Sequence, residues 1–234
     1  FGTQALILCP TRELAAQVAT EIRRLARALP NLKVVVLCGG QPMGPQIGSL
    51  AHGAHIVVGT PGRIKDHLRK QTLTLPRLKT LVLDEADRML DMGFRDDMTD
   101  IISETPSSRQ TLLFSATFPD DIAAISAQYQ RSPERITVST QVAGDQIAQV
   151  FVRTQRQEKT QALINLIQSY QPSAAVIFCQ TKAAVHDLVI TLQAQGVEAS
   201  GLHGDLEQRE RDQVLLLFKQ MSLRLLVATD VAAR

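Results

Sequence analysis

The sequence has no tryptophan and only two tyrosines and seven phenylalanines among its 234 residues. Large aromatic platforms on which successive bases could stack are therefore not expected. Cysteine is scarce too. Cys9, Cys38 and Cys179 fit no metal-ligand spacing and cannot all pair, and each ends an apolar run, so they read as buried thiols in a reducing cytosol. No apolar run approaches the length of a membrane span. No signal-peptide pattern opens the chain, which starts inside a strand-like segment, FGTQALILCP, as expected if residue 1 is not the natural start. Neither sign of charge is in excess, with 25 basic and 23 acidic residues, so any nucleic-acid site must be a local patch. There is no Gly-Lys pair, and hence no G-x-x-x-x-G-K-S/T loop to cradle phosphates within these residues.

What remains is ordinary globular composition, 44% hydrophobic and 21% charged, enough for one large domain or two small ones. Short apolar runs alternate with amphipathic stretches. Strands are predicted at Ala5–Cys9, Lys33–Cys38, His55–Gly59, Thr80–Asp84, Gln110–Phe114 and Ile136–Val138, then at Val150–Thr154, Ala174–Cys179, Ala199–Leu202 and Leu223–Ala228. Many are continuous Val/Ile/Leu runs, which suit parallel strands covered on both faces. Helices are predicted over Thr11–Leu29, where Leu14, Val18, Ile22, Leu25 and Leu29 form a stripe, and over Thr181–Gln195 and Gln208–Lys219. The polar stretch STQVAGDQ interrupts this rhythm. It divides the chain into an α/β domain over 1–138, a linker over 139–148 and a second α/β domain over 149–234.

In open α/β sheets, ligands bind beyond the carboxyl ends of the strands, and polar words stand at those places. After the fourth strand, TLVLDEADRMLDMGF sets Asp84, Glu85 and Asp87. One carboxylate there can hold Mg²⁺ through water and another can polarise an attacking water, the two needs of phosphoryl transfer. The plain alternative is an acidic helix N-terminus favoured by the helix dipole. PTRELAAQ, CGGQP, GTPGR and LLFSATFP follow the first, second, third and fifth strands. VIFCQT, LHGDLEQRERDQ and VATDVAAR come in order afterwards. Singly, the glycine pairs are turn chemistry, the Ser115–Thr117 hydroxyls are a helix cap, and Gln208 and Arg211 are one solvated helix face.

Together, in this order, the words resemble the DEAD-box family of superfamily 2 helicases over nearly the whole chain. The resemblance implies two RecA-like parallel-sheet domains, both incomplete here, with ATP between them and single-stranded RNA across both. It implies that Asp84 binds Mg²⁺ through water, that Glu85 activates the hydrolytic water, and that Asp87 bonds to Ser115 and Thr117, linking nucleotide state to domain closure. RNA contacts would go to phosphates and 2′-hydroxyls through Thr11, Arg12, Gly39, Gly40, Thr60, Pro61, Gly62 and Arg63 in the first domain. In the second they would come from Thr181, Gly204, Gln208, Arg211 and Thr229. The helix after Gly62 would bend the RNA. His203, with no metal partner near it in sequence, is expected to pack or hydrogen-bond rather than ligate.

Phrases such as CPTRELAAQV and RQTLLFSATFP further resemble a bacterial branch acting on ribosomal RNA in large-subunit assembly. That implies a cytoplasmic monomer bound to RNA and to no membrane. The family's phosphate loop is expected upstream of residue 1 and its arginine finger beyond residue 234, so these residues alone are expected to bind ATP poorly and not to hydrolyse it. The alternatives are a superfamily 2 DNA helicase, which DNA would stimulate, and an ATP-independent RNA-binding clamp.

Overall fold

The computed structural model describes residues 2–138 and 147–229. The chain divides into two compact units, Phe1–Thr137 and Val138–Arg234, each built on its own parallel sheet. Of the linker expected over 139–148, residues 139–146 lie outside the described residues.

The first unit has strands β1 (Ala5–Leu8), β2 (Val34–Leu37), β3 (Ile56–Gly59), β4 (Thr80–Leu83) and β5 (Gln110–Leu113), in the spatial order β2-β3-β1-β4-β5. All neighbours are parallel. Helices α1 (Arg12–Leu25), α2 (Met43–Ala51), α3 (Pro61–Arg69), α4 (Ala86–Asp91), α5 (Arg95–Ser103) and α6 (Asp120–Tyr129) complete it. The unbroken apolar runs are explained by burial on both faces. Leu6 and Leu8 of β1 enter one core with Ile64 of α3, Met89 of α4 and Ile101 of α5. Ile7 and Cys9 enter the other with Ala15 and Ala19 of α1. Each fully buried leucine contributes about 1.5–3 kcal/mol. After β1 the chain fills one side of the sheet with β2 and β3, then crosses to the other with β4 and β5. The carboxyl ends of β1 and β4 therefore flank a crevice where ligands bind in such sheets.

The second unit has β6 (Ala175–Cys179), β7 (Ala199–Leu202) and β8 (Leu225–Thr229) in the order β6-β8-β7, again parallel. Helices α7 (Lys159–Tyr170) and α8 (Lys182–Ala194) pack on one face through Ile164, Val185 and Leu192. Helix α9 (Gln208–Lys219) packs on the other, against Leu202, Leu226 and Ala228.

Four expectations are corrected. Ile136–Val138 and Val150–Thr154 are not strands, although their composition suits one. Neither segment is paired in a described sheet, and Ile136, Val138, Val150 and Phe151 stand exposed. Strand propensity without a ladder partner leaves backbone groups to water and forms no strand. Helix α1 ends at Leu25 and passes into a short 3₁₀ turn, so Leu25 and Leu29 are exposed rather than part of the buried stripe. Cys9 and Cys38 are buried thiols, but Cys179, closing the edge strand β6, is only half-buried. Among the described residues, no helix is long and apolar enough to cross a membrane.

Candidate functional site

The acidic word lies where β4 ends beside β1 and β5. The β4–β5 ladder continues past the strands: Phe114 donates its N–H to the Leu83 carbonyl at 2.8 Å and Ala86 donates to the Phe114 carbonyl at 3.0 Å. This extension carries residues 115–117 up to helix α4. Asp87 sits in the first turn of α4. Its Oδ2 accepts from the Thr117 hydroxyl at 2.7 Å and from the Thr117 N–H at 3.0 Å. Its own N–H donates to Ser115 Oγ at 3.3 Å. Partial burial pushes the Asp87 carboxyl up, but the Thr117 and Ser115 hydroxyls and the Thr117 and Arg88 amides outweigh it and hold the group below its ordinary range. The alternative role of Ser115 and Thr117 as helix caps does not hold: α6 begins after Pro119, with no side-chain cap.

Asp84 is half-buried, and burial, reinforced by the neighbouring Glu85 charge, raises its carboxyl above the ordinary range against the Glu85 amide, which bonds to it at 3.1 Å. Glu85 has φ 49° and ψ 53°, a left-handed backbone unusual for a residue with a side chain. Its Oε2 accepts from Arg88 Nη1 at 3.2 Å. Arg88 is a site neighbour that the sequence reading passed over. The Glu85–Arg88 spacing of three on a helix start was its signal.

A second group gathers at the ends of β2, β3 and β1. Thr11 caps α1, its Oγ1 accepting the Leu14 N–H at 3.3 Å, and Arg12 follows at the first helical position. Gly40 has φ +73°, and a Cβ added there would lie 1.9 Å from Arg12 Nη1. The Gly39–Gly40 turn is thus the seat of the Arg12 guanidinium, and this close approach needs glycine. From the other side, Arg63 Nη1 donates to the Gln41 carbonyl at 3.0 Å. Thr60 and Pro61 are buried, with Pro61 at the start of α3 and Gly62 and Arg63 in its first turn. Thr11, Arg12, Gly39, Gly40 and Thr60–Arg63 therefore share one rim of the first sheet.

In the second unit, Thr181 caps α8, accepting the Ala184 N–H at 3.1 Å, as Thr11 does for α1. Gly204 follows β7, and Lys182 reaches across to pair with Asp205. Glu207 and Glu210 form a capping box that starts α9. Gln208 and Arg211 stand in that first turn, both partly buried, with Gln208 Nε2 donating to Asp212 at 3.0 Å. Thr229 is the last residue of β8. His203 Nδ1 is buried without a hydrogen-bond partner, so this side of the ring packs and does not bond. Among the described residues, no group of three or more His, Cys, Asp or Glu side chains converges to hold a metal alone.

The model of the DEAD/DEAH box helicase family matches residues 1–125, and that of the helicase conserved C-terminal domain matches residues 158–234. The chain is 56% identical over 234 residues to the ATP-dependent RNA helicase DbpA of Escherichia coli, covering all of this chain and 51% of that protein. It is 45% identical over 232 residues to the DEAD-box ATP-dependent RNA helicase CshA of Streptococcus pneumoniae, covering 99% of this chain and 44% of that protein. The chain thus spans about half the length of the curated relatives it matches. Among solved structures, Dbp5 of S. cerevisiae bound to RNA and ADP BeF3 aligns with a TM-score of 0.86 at 29% identity, covering all of this chain and 59% of that one. A DEAD box protein from the hyperthermophile Methanococcus jannaschii aligns at 0.57 and 41% identity, covering all of this chain and 63% of that one.

Proposed function

This chain belongs to the DEAD/DEAH box helicase family, and on that footing we propose that it supplies hydrolytic and RNA-gripping parts of an ATP-dependent RNA helicase. Residues 1–138 and 149–234 act as its two RecA-like domains, joined through 139–148. The observation that carries the reading is Asp87, its carboxylate held by Thr117 and its N–H donated to Ser115, beside Asp84 and Glu85. It joins the ends of two strands into one acidic edge.

In this proposal Glu85 receives the proton of the water that attacks the terminal phosphate of ATP. The left-handed backbone at Glu85 holds the carboxylate at the strand end, and the ion pair with Arg88 orients it. Asp84 fits one water-mediated contact to Mg²⁺: burial destabilises its anion, and a hydrated dication beside it would offset that cost. The ion, when bound, would neutralise charge on the phosphates. The Asp87–Thr117–Ser115 bonds pass the state of the nucleotide to the segment leading into α6, so that bound ATP drives closure of the two units on RNA and hydrolysis releases them.

The glycine rim with Arg12 and Arg63, and the α8 and α9 starts with Thr181, Gly204, Gln208, Arg211 and Thr229, grip the RNA backbone without regard to sequence. The substrate is structured ribosomal RNA, acted on in the cytoplasm by a monomer during large-subunit assembly. The resemblance of CPTRELAAQV, DEADRMLDMGF and LHGDLEQRERDQ to that branch supports this choice.

Steady-state ATP hydrolysis by the full-length protein with RNA or DNA oligonucleotides tests the proposal. Stimulation by RNA and not by DNA is the expected result. Equal stimulation by DNA would favour a DNA helicase. RNA binding that is salt-sensitive but indifferent to ATP would favour a passive clamp.

A further inference from the structure

Helix α3 carries a histidine that the proposed RNA contacts do not use. His67 is fully buried, four residues after Arg63 and so on the same side of the helix. Its Nε2 lies 3.2 Å from Gln46 Oε1, and its Nδ1 lies 2.8 Å from Thr72 Oγ1. Gln46, in α2, is itself 6% exposed, and its Nε2 donates to the Cys38 carbonyl at 3.0 Å. Because the Gln46 amide nitrogen faces Cys38, its oxygen is the acceptor. His67 therefore carries its proton on Nε2, and the Thr72 hydroxyl is shared between Nδ1 at 2.8 Å and the His67 carbonyl at 3.2 Å. The donors run in one direction: Thr72 to His67, His67 to Gln46, and Gln46 to Cys38. Bonds aligned head to tail in a buried place polarise and strengthen one another.

The chain ends on the residue directly before Gly39 and Gly40. A second tie runs beside it, from Arg63 to the Gln41 carbonyl. Helix α3 thus holds both ends of the Cys38–Gln41 loop, through a buried relay at one end and a partly exposed arginine at the other. Between those ends sits Gly40, whose bare backbone seats the Arg12 guanidinium. A shift of Cys38 would move Gly40, and with it Arg12.

We propose that Gln46 and His67 are positioning residues that lock the Cys38–Gln41 loop to helix α3, so that Arg12, the Gly39–Gly40 turn and Arg63 grip a nucleic-acid phosphate backbone as one rigid unit. This rests on the RNA reading above. A buried polar pair that only completes a core would stabilise the unit without setting the geometry of the rim.

The test measures RNA-stimulated ATP hydrolysis and anisotropy of a labelled single-stranded RNA in the full-length protein. Gln46→Leu keeps the side-chain bulk and removes both hydrogen bonds. It should raise the half-saturating RNA concentration about five- to tenfold, with KM for ATP and kcat at saturating RNA within about twofold of the parent. Combined with Arg12→Ala it should add little further loss, because both act on one rim. Gln46→Asn, too short to span from His67 to Cys38, should give the same pattern and serves if Gln46→Leu does not fold. Unchanged RNA half-saturation in a folded variant, parallel losses for RNA and ATP, or additive losses with Arg12→Ala would each overturn the proposal. Absence of RNA binding in the parent protein would instead overturn the RNA reading, and this inference with it.

Discussion

Asp87 is a carboxylate whose partners, rather than its exposure, set its charge. Thr117 gives it both a hydroxyl and an amide bond. Replacing that hydroxyl by Thr117→Val should cost the first unit about 1 kcal/mol at neutral pH, measured by urea denaturation. The sign with pH follows from linkage. The folded-state pKa lies below the unfolded value, so the stabilisation is present above the unfolded pKa, about 3.9, and is lost as pH falls through the lower folded value. The gap between parent and Thr117→Val should therefore close on acidification; a gap constant from neutral pH down to acid would show that the bond does not depend on the Asp87 charge. The placement of Asp84, Glu85, Ser115 and Thr117 just past strand ends was legible in sequence, because each stands in a polar word that closes an apolar run. The left-handed backbone of Glu85 was not, since nothing in its neighbours marks it. Gln46 and His67 were not legible either: a polar residue in a helical stretch reads as solvated until its burial is seen.

At the scale of elements, the strands that face helices on both sides were read closely. β3 and β7 lie where their apolar runs place them, with ends differing at most by a residue, and α9 has the bounds its periodicity predicts. The failures were Ile136–Val138 and Val150–Thr154, where composition suggests a strand and no ladder partner is present among the described residues. A strand is a property of a pair, and a single sequence shows only one member. Gly59 shows the opposite dependence, an element end determined by what crosses it. A Cβ there would lie 2.2 Å from the Leu37 carbonyl oxygen and 2.9 Å from Ile64 Cδ1. Gly59→Ala should thus force β2, β3 and α3 apart and destabilise the first unit by about 1–3 kcal/mol. A denaturation midpoint equal to the parent's would show that the sheet yields there without cost.

At the scale of the whole molecule, the two parallel sheets and their order of motifs were legible because each motif is anchored to a strand end. The proposed hydrolytic edge comes from one unit and the proposed RNA contacts from both, so the proposal requires both units for activity. The 234 residues contain no Gly-Lys pair to cradle phosphates, and expressed alone they should show no RNA-stimulated ATP hydrolysis above background in a phosphate-release assay. Clear turnover would mean that phosphates are held by other groups. The most direct measurement is made on full-length Glu85→Gln, scoring ATP turnover and ATP-dependent RNA affinity side by side. Turnover should fall by about two orders of magnitude or more while RNA is still held tightly when ATP is present. If RNA affinity and turnover fall together, Glu85 holds the fold rather than the water, and the acidic edge is not the hydrolytic site.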